Sequence, residues 1–466
     1  MVLKVKPNTE IQKTSCLVAL LILFSVWSFL YLEGSFSIIL FSLFFLMLGA
    51  LTISLFSKSS RNEYGHLVIF LSAYALYTLY TVYIDKLFFT NPVNDYYVFR
   101  DQLFYYRNAM AFDERGFAYI ARDSFNTFEY SSLPLTMFTF QSMFYISSFF
   151  DPLNYDPLIL KLLNVFLLSL NASILYLLCL KFWNQQVAFL STLLFALCSH
   201  NFFYSAFLLR DQQIATVFTL IAFVGLANYA LLKKAILIFC LVLICFYIRK
   251  ANGAVAGVFG IYFLLSDLYK RMNSKAAKTL FYGSVSLLGL VFLFLFIQVV
   301  LPLYQDLYAT IESYNSKVEA TAGRGGSLGY ALRGSLIGHL LLTLFSQIIP
   351  FPITRTLEDG LASFPLLIAT VFWFIVWSVM VLGLLRVRIR KSIPTEIRNL
   401  FLMSLGVIFL TTFASFETRR LLGFYPLIYL VFISVIVQLN KLDRRLFVTR
   451  SLGLYAILHV VYFIIK

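Results

Sequence analysis

Residues 36–56 read FSIILFSLFFLMLGALTISLF and contain no charged side chain. A helix needs about 20 mostly apolar residues to cross the hydrocarbon core of a bilayer, and this stretch has that length. Similar stretches recur along the 466 residues, of which 60% are hydrophobic and 13% charged. An ordinary soluble domain is roughly half apolar and a quarter charged. The composition therefore excludes a soluble globular enzyme, a disordered chain and a disulfide scaffold, and it predicts an all-α, polytopic membrane protein.

The apolar stretches predict about 13 transmembrane helices by the same length criterion. Their approximate ranges are 15–32, 36–56, 66–83, 158–181, 186–206, 213–231, 234–248, 253–267, 278–300, 363–385, 398–414, 421–438 and 452–465. Two long polar loops, 84–157 and 301–362, interrupt them. We expect an N-terminal transmembrane hairpin over 1–65, a membrane core over 66–440, and a C-terminal segment with the last span over 441–466.

The net charge of +15 can be interpreted once the spans are placed. With the N-terminus in the cytoplasm, most Lys and Arg residues fall in inner segments, while the outer segments are nearly neutral, which is the charge bias typical of membrane proteins. The charge therefore predicts orientation, with both long loops outside, and gives no reason to expect a nucleic-acid partner. We expect the first span to be retained, and the short inner loops favour a bacterial inner membrane.

The outer loop 84–157 combines carboxylates with many aromatic residues. Asp101 is followed by Phe104, Tyr105 and Ala109 at near-helical spacing, which predicts an amphipathic helix on the membrane surface with the carboxylate at its start. We expect Asp101, or else Asp95, to act as a general base. The alternative is a solvated loop whose acids pair with neighbouring arginines. The apolar piece 133–150 is predicted to lie flat at the interface or to re-enter.

Three further outer segments carry charges beside apolar runs, where a charge is costly unless it is paired or functional. They contain Arg210-Asp211, Arg249-Lys250 and Arg419-Arg420. Arginine binds phosphate in a bidentate manner, so the arginines together could surround a lipid pyrophosphate, with Asp211 orienting a sugar or a divalent cation. The alternatives are an ion pair between the adjacent Arg210 and Asp211, cations reaching the lipid headgroups, and a local pair between Arg420 and Glu417.

The order of these features resembles the integral-membrane GT-C glycosyltransferases, in particular the branch of the protein O-mannosyltransferases and the aminoarabinose transferase that acts on lipid A. The acidic-aromatic loop is followed by Ser131-Ser132-Leu133-Pro134-Leu135, then by Arg210-Asp211, and late in the chain by an arginine-rich entry into Tyr425-Pro426. The resemblance covers roughly residues 66–440 and departs from the family in the extra N-terminal hairpin and in lacking a Tyr directly after Arg420.

The resemblance implies a catalytic Asp in the first outer loop, a later outer Asp near the donor, and a sugar taken from a polyprenyl phosphate or pyrophosphate carrier on the outer face. The acceptor would be a glycan, a lipid or a protein, and metal dependence is left open. Two other functions remain open from the residues themselves: a surface-polysaccharide polymerase, in which the arginines dominate, and a flippase or transporter of a lipid-linked sugar. Transporters place charge at the bilayer midplane, whereas most charges here fall at the ends of spans.

Overall fold

The computed structural model describes residues 9–57, 64–88, 100–127, 133–152, 155–272, 274, 363–414 and 418–465. Within them the chain is helical and forms no strand. The helices are α1 (Thr9–Leu32), α2 (Phe36–Ser57), α3 (Gly65–Val82), α4 (Arg100–Met110), α5 (Phe117–Asn126), α6 (Pro134–Ser148), α7 (Pro157–Phe182), α8 (Gln185–Cys198), α9 (His200–Tyr204), α10 (Asp211–Leu226), α11 (Leu231–Ile248), α12 (Lys250–Arg271), α13 (Phe364–Leu385), α14 (Val387–Ser392), α15 (Thr395–Ala414), α16 (Tyr425–Gln438) and α17 (Lys441–Ile465). A π-helical turn (Tyr83–Phe88) extends α3, and a 3-10 turn (Thr418–Leu421) precedes α16.

Seven of the described helices are long and apolar enough to cross a membrane, namely α1, α2, α3, α7, α11, α12 and α13. Three more, α8, α10 and α16, are apolar but shorter. Each predicted span except 278–300 overlaps a described helix, but only these seven described helices have the length and apolarity of a full span, so the predicted number of 13 is not confirmed. The predicted span 278–300, the loop 301–362 and Asp95 lie outside the described residues.

The helix starts follow from local capping chemistry. Asp156 accepts a hydrogen bond from the Leu158 N–H group at 2.8 Å, and Pro157 occupies the first position of α7, where no N–H group is needed. Asn184 caps α8 in the same way, at 2.9 Å from the Val187 N–H group. Gly34 has a φ of 73° between α1 and α2, a conformation that glycine adopts without strain. These residues set where the long helices begin and turn.

Helix α7 is the centre of the bundle and is buried on nearly all sides. It packs against α2, α3, α8 and α10. Its polar side chains bind neighbouring helices: Ser173 donates to the carbonyl of His66 at 2.8 Å, and Asn171 accepts from Thr219 at 3.2 Å. Because apolar contact alone does not favour helix association in lipid, such polar contacts and close packing specify which helices meet.

The N-terminal hairpin packs on this core through α3 and α7. Tyr74 donates to the backbone carbonyl of Ser42 at 2.8 Å, and Trp27 donates to the Ser42 hydroxyl at 3.0 Å. The outward faces of the hairpin and of α11 carry exposed apolar side chains such as Phe24, Met47 and Phe239. These are the surfaces that a bilayer covers.

A break between α8 and α10 lies within the bundle. Helix α8 has 14 residues, or about 21 Å of rise, which is less than the roughly 30 Å of hydrocarbon in a bilayer. The sequence predicted one span over 186–206, but the long helix ends at Cys198 and α9 follows as a single short turn. Most residues of 199–209 are buried, so their backbone polar groups require partners inside the protein.

Side chains supply those partners. The amide nitrogen of Asn164 donates to the carbonyls of Phe207 at 3.0 Å and Leu209 at 3.1 Å. The amide nitrogen of Gln212 donates to the carbonyl of Tyr204 at 2.7 Å. Irregular backbone at membrane depth is tolerated only where protein surrounds it, and Asn164 and Gln212 meet that condition. The break therefore delivers the start of α10 to a defined position.

Two ion pairs join the π-helical turn to the start of α7. Asp85 pairs with Lys161, and both side chains are less than a tenth exposed; Lys86 pairs with Asp156. Asp156 also caps α7, so this one carboxylate fixes both the start of α7 and the π-helical turn that follows α3. The pairs hold the beginning of loop 84–157 against the bundle.

Lys161→Met tests the buried pair. Removing the ammonium group leaves Asp85 buried without its counter-ion, and breaking such a pair costs about 3–5 kcal/mol. We expect a large fall in the thermal unfolding midpoint of the purified protein in detergent. The double variant Asp85→Asn/Lys161→Met should recover part of that loss, because no charge is then left without its partner. Equal midpoints for Lys161→Met and the wild type would contradict the proposed contribution of the pair.

Candidate active site

Four segments that are far apart in the sequence bring charged side chains together at one end of the bundle. Helix α4 brings Asp101, and the start of α10 brings Arg210 and Asp211. The turn between α11 and α12 brings Arg249, and the 3-10 turn before α16 brings the last two arginines. We call the following set the guanidinium cluster: Asp101, Arg210, Asp211, Arg249, Arg419 and Arg420.

Two ion pairs connect the segments directly. The Nη1 atom of Arg419 lies 2.9 Å from Oδ2 of Asp101, which joins the 3-10 turn to α4. The Nη1 atom of Arg249 lies 3.8 Å from Oδ1 of Asp211, which joins the α11–α12 turn to α10. The side chain of Asp101 is 51% exposed, whereas that of Arg419 is 9% exposed. The Asp101 carboxylate is therefore accessible from outside, while its partner is held inside.

The pKa of Arg249 reports how close the other charges are. Burial lowers it, and repulsion from Arg210 lowers it further; Asp211 opposes this shift, and Arg420 adds to it. A guanidinium group keeps its proton under all ordinary conditions. The shift therefore signals a site that an anion would stabilise by relieving repulsion among the three arginines.

Tyr105 lies in the same electrostatic environment. Burial raises the pKa of its hydroxyl group to about 12, Arg210 opposes that shift, and the charges of Asp101, Asp211 and Arg419 also act on it. The ring is 3% exposed. Tyr105 therefore presents a neutral phenol among the charges of the cluster at physiological pH.

The cluster favours anionic ligands. Among the described residues it contains four guanidinium groups and two carboxylates, which leaves an excess of two positive charges. Arginine presents planar pairs of N–H donors that match the oxygens of phosphate. Asp211 also lies in the first turn of α10, where Arg210 precedes it, so the positive end of that helix dipole points toward the same place.

Helix α4 is positioned by its buried side. The Gln102 side chain, 2% exposed, accepts a hydrogen bond from the Leu208 N–H group at 2.8 Å. The ring of Tyr105 packs edge-on against Phe140, with centroids 5.9 Å apart, and Ala109 is fully buried. This hydrogen bond connects α4 to the break before α10. Asp101 precedes Gln102, and Arg210 lies two residues after Leu208, so the bond fixes the two charged residues relative to each other.

The turn between α11 and α12 depends on Gly253. A Cβ atom there would lie 2.5 Å from the Cα atom of Phe246, a backbone contact too close for any other residue. The backbone of Arg249 is extended, with φ −162° and ψ 114°, and its carbonyl accepts from the Gly253 N–H group at 3.0 Å. The two helices therefore meet closely at this turn, and that approach directs Arg249 into the cluster.

The 3-10 turn is anchored by the apolar residues that follow its arginines. Leu421 and Leu422 are fully buried. The ring of Phe424 packs against those of Phe218 in α10 and Phe259 in α12, with centroids 4.9 and 6.2 Å apart. These contacts fix the turn to α10 and α12, the two helices that begin directly after Arg210 and Arg249.

Most of the predicted site residues are brought together. The guanidinium cluster holds all of them except Lys250 and Asp95. Lys250 is exposed at the start of α12, and no ion pair joins it to the cluster in the ranges that the structure describes; Asp95 lies outside those ranges. The predicted helix that carries Asp101 at its start is confirmed as α4, while its position on the membrane surface stays a prediction. Asp211 pairs with Arg249 in the structure, and the functional roles of all these residues stay predictions.

Several residues that position the cluster were not predicted from the sequence. Gln102, Asn164 and Gly253 act through hydrogen bonds or close backbone approach, and Tyr105 was predicted only as part of an apolar helix face. A polar amide within the apolar run 158–181 was the one available signal for Asn164, because such a side chain needs a partner in lipid. Gln102 and Gly253 carry no comparable signal.

No group of three or more His, Cys, Asp or Glu side chains that could hold a metal ion occurs among the described residues. No family model, curated protein or solved structure matches this chain.

The variant Tyr105→Phe tests, through the pH dependence of stability, whether the Tyr105 hydroxyl group is buried within the cluster. A raised pKa means that the folded protein keeps a proton that the unfolded chain releases above pH 10, so this contribution to stability is complete below pH 10 and is lost as pH rises to about 12. The variant lacks that loss. We expect its free energy of unfolding to gain on the wild type by about 1.4 kcal/mol at pH 11.

Thermal unfolding in detergent between pH 8 and pH 11 measures this difference. Tyr64→Phe, at a residue that is 78% exposed, is the matched control and should follow the wild type at every pH. A Tyr105→Phe variant that also follows the wild type would show that the hydroxyl is not buried in this environment.

Proposed function

We propose that this protein is a glycosyltransferase that moves a sugar from a polyprenyl-phosphate-linked donor to an acceptor on the extracytoplasmic face of a membrane. The guanidinium cluster supports this proposal. Four segments place arginines and carboxylates at one end of an apolar helix bundle, where a lipid phosphate and a water-soluble acceptor can both reach them. The predicted orientation puts this end outside a bacterial inner membrane.

The arginines would stabilise the leaving group. When the bond between the anomeric carbon and the phosphate oxygen breaks, the electron pair stays on the phosphate and its negative charge increases. Arg210, Arg249 and Arg420 repel one another in the absence of an anion, so they interact more strongly with the product phosphate than with the neutral part of the donor. Pre-positioned donors of this kind are usually the largest contribution to catalysis.

Asp101 would accept the proton of the acceptor hydroxyl group as its oxygen forms the new bond to the anomeric carbon. The contact with Arg419 orients the carboxylate, and its exposed half leaves room for an acceptor from the aqueous side. General-base catalysis by a positioned carboxylate typically contributes a factor of about 10²–10⁴. Asp211, held by Arg249, would position the donor sugar or a divalent cation.

The carrier chain has an apolar surface beside the cluster. Ile244, Phe246 and Tyr247, in the last turns of α11, are exposed large side chains that lie just before Arg249. A polyprenyl chain in the bilayer can therefore contact α11 while its phosphate contacts the arginine at the end of that helix. The arrangement fits a donor that arrives from within the membrane.

A surface-polysaccharide polymerase is the second candidate. In the cluster the arginines outnumber the carboxylates, and both Asp101 and Asp211 already have arginine partners. A polymerase that holds two lipid pyrophosphates and relies less on a general base would show this balance. Both candidates use the same carrier and the same membrane face.

Complementation of a deletion strain tests the proposal, with lipid-linked and finished glycans as the measurement. We expect Asp101→Asn, and more severely Asp101→Asn with Asp95→Asn, to reduce transfer by about 10²-fold or more at unchanged protein level. Arg419→Lys keeps the charge but loses the planar donor pair and should also reduce transfer. Glu114→Gln, which alters an exposed carboxylate in the same loop, is the matched control.

The glycan pattern separates the candidates. Normal glycan from the double Asp variant would rule out a transferase that uses these carboxylates as its base. Loss of long chains with a single repeat unit retained, caused by the arginine variants and not by the Asp variants, would identify a polymerase. Normal glycan from all of these variants would reject both.

A further inference from the structure

A polar cavity lies at the end of the bundle opposite the guanidinium cluster. Helix α10 begins in the cluster at Asp211 and ends at this cavity with Leu226, about 22 Å away along the helix axis. The cavity has a volume of about 320 Å³, and its lining includes four basic side chains, Lys181, Lys234, Lys270 and Arg271. A volume of this size is at the lower limit of small-ligand sites.

Two of the four cations are neutralised by carboxylates. Lys234, which is 2% exposed, pairs with Asp267 and donates to the carbonyl of Gly225 at 2.9 Å. Lys270 lies 3.0 Å from a carboxylate oxygen of Glu396. These pairs join α11 to α12 and α12 to α15, so they build the walls of the cavity.

The other two cations line the cavity but form no ion pair with its carboxylates. Neither Lys181, in the last turn of α7, nor Arg271, at the end of α12, has an ion-pair partner within the parts of the chain that the structure describes. Both side chains are exposed and therefore accessible to a ligand. The cavity thus carries two uncompensated positive charges on a framework that is already fixed by ion pairs.

We propose that this cavity binds a phosphate group, carried either by an anionic phospholipid headgroup or by a soluble phosphate ester. Lysine and arginine are the usual donors to phosphate in proteins. The charge pattern predicts that this end faces the cytoplasm, where the anionic leaflet attracts basic segments. The site is separate from the guanidinium cluster, and its existence does not depend on the glycosyltransferase proposal.

Direct binding tests the site on the purified full chain in an uncharged detergent at constant ionic strength. The probes are dihexanoyl phosphatidylglycerol, dihexanoyl phosphatidylcholine, and glycerol 3-phosphate, and the readouts are the thermal unfolding midpoint and bound adducts in native mass spectrometry. We expect saturable binding of phosphatidylglycerol and not of phosphatidylcholine. Equal binding of glycerol 3-phosphate would identify a soluble phosphate ester as the ligand class, and its failure to bind would identify the lipid.

Variants locate the binding. Lys181→Met/Arg271→Met removes both uncompensated cations without breaking either wall pair, and we expect the affinity for the binding probe to fall about tenfold or more, because charge-assisted hydrogen bonds are lost. Lys181→Arg should retain binding. Lys441→Met, at an exposed lysine outside the cavity lining, is the matched control.

Two results would overturn the proposal. One is equal binding of phosphatidylglycerol and phosphatidylcholine to the wild type together with no binding of glycerol 3-phosphate. The other is an unchanged dissociation constant in Lys181→Met/Arg271→Met. The wild-type comparison of the probes decides the first point even if the double variant fails to fold.

Discussion

The need to satisfy backbone polar groups away from water governs the placement of the site. The long helix α8 ends at Cys198 and α10 begins at Asp211, with only the short turn α9 between them, and most of the intervening residues are buried among apolar helices. In that environment an unpaired N–H or carbonyl group costs several kcal/mol. Asn164, Gln212 and Gln102 remove that cost with hydrogen bonds to three parts of the break. The same contacts determine where α10 starts and hence where Arg210 and Asp211 lie.

The apolar helices around this break can be predicted from the sequence. A bilayer requires a minimum length of each span and biases the charge of each loop, so ranges such as 158–181 can be predicted without any knowledge of packing. Helix α4, which carries Asp101 at its start, can be predicted for a related reason, since its aromatic side chains recur at helical spacing. The shortness of α8 is not visible in this way, because the break itself is rich in Phe and Leu and extends the apolar run through residue 206.

The convergence of charges was predictable in outline and not in detail. Arg210, Arg249 and the adjacent Arg419 and Arg420 all border apolar runs on the same predicted face, and charges in that position tend to share a counter-ion. Which carboxylate each arginine contacts depends on side-chain direction and helix rotation, which composition does not encode. Arg249 pairs with Asp211, which is distant from it in the sequence. The two helix ends beside Arg249 approach to backbone contact at Gly253, where only a residue without a Cβ atom fits.

The contact between Asp101 and Arg419 engages the same guanidinium group that a bound anion would contact. An anion bound at Arg419 would compete with Asp101 for the N–H donors of that guanidinium group. The ion pair with Asp101 and the binding of an anion at Arg419 would therefore weaken each other, because the coupling between two contacts of one group is reciprocal.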